Sequence, residues 1–219
     1  MRCVPLIVGA GARGITVHPR PDARHITGED VAKIAAYLRD LPKLEFNIEG
    51  NPEHNLMPLL ASARPEQATF VPDSVGQATS DHGYSVEGVK RITPLIHAAK
   101  QSARRVSIFV DPDLAVIDAV KKAGADRIEL YTEAYAVAAK ERNDDALAQV
   151  LARYIEAAAH ARSIGLGVNA GHDLNLDNLA QFIALVKPDE VSIGHALICD
   201  ALIDGLEQTV KKYLKLCSL

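Results

Sequence analysis

The segment Ile15-Thr16-Val17-His18-Pro19-Arg20-Pro21-Asp22-Ala23-Arg24-His25 runs from an apolar, β-branched strand into a loop carrying two imidazoles and two guanidiniums. His18 and Arg20 lie two apart in extended chain, so both side chains leave the same face and reach one ligand together. Arg24 and His25 follow in the loop. Guanidinium forks and imidazoles suit the oxygens of a phosphate. Left without a ligand, the same residues would be ordinary solvated loop charges.

Three further strand-like runs end in polar chemistry: Leu44-Glu45, Val168-Asn169-Ala170-Gly171-His172 and Val191-Ser192-Ile193-Gly194-His195. Glu45 stands among Leu44, Phe46 and Ile48. An acid in such a strand is costly unless its surroundings use it, which predicts a raised carboxyl pKa and acid/base work, or else a salt bridge to Lys or Arg. Glu49 is read as part of the turn Glu49-Gly50-Asn51-Pro52 that begins the next helix. Glu129 is a second inward-facing candidate. Glycine before His172 and before His195 lets backbone N–H groups approach an anion, and these are the last two strands, where barrel enzymes hold phosphate. A metal held by His18, His25, His172 and His195 is the competing reading, but the short ligand spacings and partner carboxylate of zinc hydrolases are absent.

Elements that position these residues follow from hydrophobic periodicity. Strands are predicted near residues 14–18, 43–48, 67–72, 105–110, 126–131, 165–169 and 190–194. Helices fall at Gly28 to Arg39, Val86 to Ser102, Pro112 to Ala123, Asp144 to Ser163, Leu176 to Val186 and His195 to Leu216. Strand and helix alternate without a hairpin signal, and the strands read as mostly apolar on both faces. That pattern implies a parallel sheet with right-handed crossovers, closed as an α/β barrel of the (β/α)8 type. Residues 1–219 form one domain.

With 219 residues, 48% of them hydrophobic, the chain has enough apolar surface for a substantial core, and no apolar run is long enough to span a bilayer. Its formal charge of -4 gives no general attraction to nucleic acid or anionic lipid, so any basic site is local. Cys3, Cys199 and Cys217 form neither a disulfide framework nor a zinc spacing, and a reducing cytoplasm fits them best. Gly9-Ala10-Gly11-Ala12-Arg13-Gly14 matches the dinucleotide fingerprint G-x-G-x-x-G. It is followed by a strand and by Pro19 and Pro21 rather than by a helix, so it ends a helix instead of holding a pyrophosphate.

Taken together, Gly14-Ile15-Thr16-Val17-His18-Pro19-Arg20, Asp22-Ala23-Arg24-His25-Ile26, the Glu45 strand, Val168-Asn169-Ala170-Gly171-His172 and Ile193-Gly194-His195-Ala196 resemble the pyridoxine 5'-phosphate synthase family. The resemblance covers essentially the whole chain. It implies a (β/α)8 barrel that condenses 1-deoxy-D-xylulose 5-phosphate with 3-amino-2-oxopropyl phosphate to pyridoxine 5'-phosphate, phosphate and water, without a metal or organic cofactor. It further implies homo-oligomers built from dimers, up to an octamer. Carried onto this sequence, it makes His18 and Glu45 proton acceptors and His172 a proton donor. Arg20, His25 and Thr79 would hold the ketose phosphate, and Gly194 and His195 the aminoketone phosphate. Thr79 lies in the polar loop Ala78-Thr79-Ser80-Asp81-His82-Gly83, of a kind that folds over a ligand.

The sequence departs from the family in two places. Asp173 follows His172 where some members have a glycine whose backbone binds the aminoketone phosphate; Asp173 still offers its N–H there. A first strand and loop of the form Val-Asn-x-Asp-His has no counterpart, so the barrel is expected to lack one strand and to be open between residues 14–18 and 190–194. Two other functions share these signals. One is another phosphate-handling barrel such as an epimerase or aldolase, although no strand carries a Schiff-base lysine. The other is a non-catalytic protein that binds a phosphorylated vitamer.

Overall fold

The computed structural model describes residues 2–141 and 143–218. Strand and helix alternate along the chain as α1 (Cys3–Gly9), β1 (Gly14–Val17), α2 (Gly28–Arg39), β2 (Glu45–Gly50), α3 (Leu56–Ala63), β3 (Gln67–Phe70), α4 (Val86–Ala99), β4 (Arg105–Val110) and α5 (Leu114–Lys122). They continue as β5 (Arg127–Tyr131), α6 (Glu133–Glu141), α7 (Asp144–Ser163), β6 (Gly167–Gly171), α8 (Leu179–Val186), β7 (Glu190–Ser192), α9 (His195–Asp204) and α10 (Leu206–Cys217). Helix starts are set by local chemistry. Thr27 and Asp30 form a reciprocal capping box on α2, and the side chains of Ser85, Asp113 and Asn143 accept from first-turn N–H groups of α4, α5 and α7.

The strands form one sheet in the order β1-β2-β3-β4-β5-β6-β7, every neighbouring pair parallel. The sheet curls on itself, because Gln67 of β3 donates across the interior to Glu190 of β7 at 3.2 Å. Among the described residues β1 and β7 share no ladder, so the barrel is nearly closed with one seam, as the strand count predicts.

Alternate strand residues face opposite ways. Phe46, Ile48, Ala68, Phe70, Val106, Ile108, Ile128, Leu130, Val168 and Ala170 are buried against the helices and form the main core. A fully buried large side chain of this kind contributes about 1.5–3 kcal/mol. The inward positions are different. Asn47, Gln67, Thr69, Ser107, Glu129 and Asn169 are buried and polar, which corrects the expectation of strands apolar on both faces.

Two further boundaries differ from the sequence reading. The predicted helix over 195–216 is split at Gly205, whose φ of +79° breaks it into α9 and α10. The second strand begins at Glu45 and runs through Gly50, because residues 41–44 are used by a turn in which Leu44 N–H donates to Leu41 O at 2.9 Å. Among the described residues no helix is long and apolar enough to cross a membrane.

Candidate active site

Register decides which acids reach the mouth of the barrel. Gly14 pairs with Glu45 and Val17 with Ile48, which sets His18, just after β1, beside Glu49 near the carboxyl end of β2. His18 Nδ1 lies 3.9 Å from Glu49 Oε2, and His18 Nε2 lies 3.9 Å from Asp73 Oδ2. Burial, helped by the nearby Arg20 guanidinium, lowers the His18 pKa to about 4, so the ring is neutral near pH 7. Burial also raises Glu49 to about 7, with the charges of Glu190 and Asp73 adding to the shift. A neutral imidazole thus faces a carboxyl poised to take or give a proton.

Glu45 is four residues away on the same strand, at the amino end of the barrel. Arg105 grips it with two N–H groups, one of them at 2.9 Å to Oε1, and that hydrogen bond lowers the Glu45 pKa instead of raising it. The expected rise in the Glu45 pKa is therefore corrected: the carboxyl forms the alternative, a salt bridge, with Arg105. Arg105 also donates to Gln67 and Glu190, and Arg127 to Asn169 and Glu190, so the barrel floor is a continuous polar network. Glu49, read from sequence as a turn residue, takes the place at the mouth. The alternation of inward Glu45, Asn47 and Glu49 with outward Phe46 and Ile48 is the signal that finds it.

Glu129 points into the interior between floor and mouth. Its carboxyl is held well above the usual range, first by burial and then by the charges of Glu49 and Glu190. Gly171 makes room for it, since a Cβ there would meet Glu129 Oε1 at 2.5 Å.

The loop after β3 lies across the mouth. Arg20, buried, bonds Asp73 at 2.8 Å and Gln77 O at 3.1 Å, while Arg24 bonds Ala78 O at 2.8 Å. Ser80 donates to Asp73 at 2.8 Å. At the far side of this strap, Thr79 Oγ1 is 3.0 Å from His172 Nε2. Both guanidiniums thus face the loop's carbonyls at the place where phosphate oxygens were expected. His25 is exposed beside them.

His172 and Asp173 follow β6 with φ values of 84° and 58°. Two successive non-glycine residues in the left-handed region cost about 1–2 kcal/mol each, which marks a place the surroundings hold under strain. Thr132 Oγ1 donates to the carbonyls of Gly171 and His172, and Asn178 Nδ2 donates to Asp173 O at 3.1 Å. The Tyr131 ring meets the His172 ring edge-on, with centroids 4.9 Å apart. Gly194 and His195 are exposed where β7 passes into α9, whose first N–H groups open toward the same end of the barrel. His18, Arg20, Arg24, Thr79, His172 and Asp173 thus come together, joined by Glu49 and Asp73, which the sequence reading did not place there.

The model of the family described as pyridoxal phosphate biosynthesis protein PdxJ matches residues 1–219. Proteins named pyridoxine 5'-phosphate synthase are similar along the chain. That of Albidiferax ferrireducens is 52% identical, covering 98% of this chain and 86% of the relative. That of Cytophaga hutchinsonii is 49% identical, covering 94% and 84%. In fold, the chain is similar to a phosphoribosyl anthranilate isomerase of Thermotoga maritima, with a TM-score of 0.63 at 14% identity, over 100% of this chain and 94% of that one. A structure titled native KDPGal gives a TM-score of 0.69 at 14% identity, over 99% and 86%.

Proposed function

The chain belongs to the pyridoxal phosphate biosynthesis family PdxJ, and from that premise we propose that it is a pyridoxine 5'-phosphate synthase, condensing 1-deoxy-D-xylulose 5-phosphate with 3-amino-2-oxopropyl phosphate. The observation that carries the reading is the convergence at one mouth of a neutral imidazole, His18, a carboxyl poised near neutrality, Glu49, and a second imidazole, His172, beside the arginines of the β1 loop.

Joining an amine to a ketone, expelling phosphate and water, and aromatising the ring needs proton transfers at several separate atoms. His18 and Glu49 face one another and serve as proton acceptors on the β1–β2 side. His172 works from the β6 side as donor to a departing oxygen. Arg20, Arg24, His25 and Thr79 hold the ketose phosphate. The backbone N–H groups of Asp173, Gly194 and His195, with the His195 ring, hold the aminoketone phosphate. Glu129 stays protonated under the substrate and donates to oxygens that gain charge. The protein acts as a homo-oligomer on small phosphorylated molecules in the cytoplasm.

Incubation with both substrates tests this directly. Release of pyridoxine 5'-phosphate with an equal amount of inorganic phosphate supports the synthase. Turnover of the ketose phosphate alone would favour an epimerase or aldolase, and binding without turnover a vitamer-binding protein.

A further inference from the structure

The His172 ring is bonded at both nitrogens. Nε2 is 3.0 Å from Thr79 Oγ1, and Nδ1 is 2.9 Å from Oδ2 of the adjacent Asp173. A carboxylate has no proton to give, so the proton of this second bond resides on Nδ1, and Nε2 is left as the nitrogen that works. The left-handed backbone at both residues turns the Asp173 side chain back alongside the ring of its own neighbour, a contact that an extended dipeptide cannot make because successive side chains then point to opposite faces. The Asp173 carbonyl is tied to Asn178, the His172 carbonyl to Thr132, and the Tyr131 ring packs edge-on against the imidazole, so the arrangement is held by three contacts.

We propose that Asp173 is a positioning residue for His172, fixing its Nδ1–H tautomer and ring orientation so that Nε2 is presented to the hydroxyl of Thr79 and, in turn, to the reacting oxygen. The inference rests on the reading of His172 as the proton donor. His172 Nε2 first takes a proton removed from the substrate as the ring forms, giving the imidazolium. When it then gives that Nε2 proton to the departing oxygen, the imidazole returns to the neutral form with its remaining proton on Nδ1, donated to Asp173 Oδ2. No net change is required at the carboxylate. A negative charge at this position weakens an adjacent phosphate site. The role thus predicts a separation of effects: removing the carboxylate harms turnover and leaves phosphate binding unharmed or improved.

Asp173→Gly and Asp173→Asn both accept a left-handed backbone, so neither disturbs the loop through strain. In full-length protein labelled with 15N-histidine, the neutral ring of His172 in the unaltered chain should carry its proton on Nδ1. In both variants the two tautomers should mix. The variants should lower kcat by about 10- to 1000-fold, the range spanned by a misdirected acid or base, while KM for 3-amino-2-oxopropyl phosphate stays level or falls. Unchanged nitrogen shifts together with unchanged kcat in both variants would overturn the proposal, as would a raised KM at constant kcat. His172→Asn separates the two levels of the argument. If that variant keeps full turnover, the proton-donor reading fails, while the nitrogen spectrum still reports whether Asp173 orients the ring.

Discussion

His18 and Glu49 sit 3.9 Å apart because β1 and β2 pair with Val17 opposite Ile48, and the same packing moves their pKa values in opposite directions, to about 4 and about 7. A proton acceptor must be unloaded before it acts. His18 is already neutral through the physiological range, so the ionisation of Glu49 sets the acid limb of the rate profile. Turnover should rise as pH passes through about 7 and then level off. Glu49→Gln should lose that limb together with most of its activity; an unaltered limb in the residual rate would remove Glu49 from the titration.

The same carboxyl has a consequence for stability. Its folded pKa lies above the unfolded value of 4.5, so the folded state holds this proton more tightly, and the associated stability is present below pH 4.5 and lost as pH rises through about 7. Glu49→Gln removes that loss. Above pH 7 the variant should be more stable by about 1–3 kcal/mol in urea unfolding, with no such gain at pH 4. Equal or lower stability at high pH would contradict the burial of an ionised Glu49.

Arg105 ties Glu45, Gln67 and Glu190 together under the site. Arg105→Met leaves Glu190 with Arg127 alone inside the barrel, and removing one partner of a partly buried pair costs about 2–4 kcal/mol. A fall in the urea midpoint of that size, with kcat of the folded enzyme retained, is the expected outcome. A neutral substitution would mean that the floor network adds little.

Phosphate recognition is checked by thermal shift. Inorganic phosphate and pyridoxine 5'-phosphate should raise Tm by binding the folded state alone, and Arg20→Ala should remove most of the rise. Arg20 is engaged with Asp73 and Gln77 O in the absence of ligand, so the variant's own Tm is measured first and the shift is taken from it. Equal stabilisation by pyridoxine lacking the phosphate would contradict an anion site.

Much of the architecture was legible from periodicity, since apolar residues facing the helices recur at every second strand position and at three-and-four spacing on helices such as α2. The mouth residues His18, Arg20 and His172 were legible because glycine and proline punctuate the strand ends. What misled was the start of β2. Leu44 looks like its interior, yet the Pro42-Lys43 turn consumes residues 41–44, and a shift of two residues placed Glu45 at the wrong end of the strand. The polar interior was also hidden. Asn47, Thr69 and Ser107 satisfy no local pattern, and Asn47 and Thr69 find their hydrogen bonds across strands. Asp73 lies in a loop, where its contact with Arg20 is 53 residues distant in sequence and has no local signature.

Side-by-side steady-state kinetics of Glu49→Gln and Glu45→Gln, scored by pyridoxine 5'-phosphate formation, test the account most directly. Glu49→Gln should lose about two to four orders of magnitude in kcat with little change in KM, while Glu45→Gln, altering a half-exposed ion pair, should keep kcat and lose at most about 1 kcal/mol of stability. The reverse pattern, with Glu49→Gln active and Glu45→Gln inactive, would move the chemistry to the floor of the barrel and contradict the site described above.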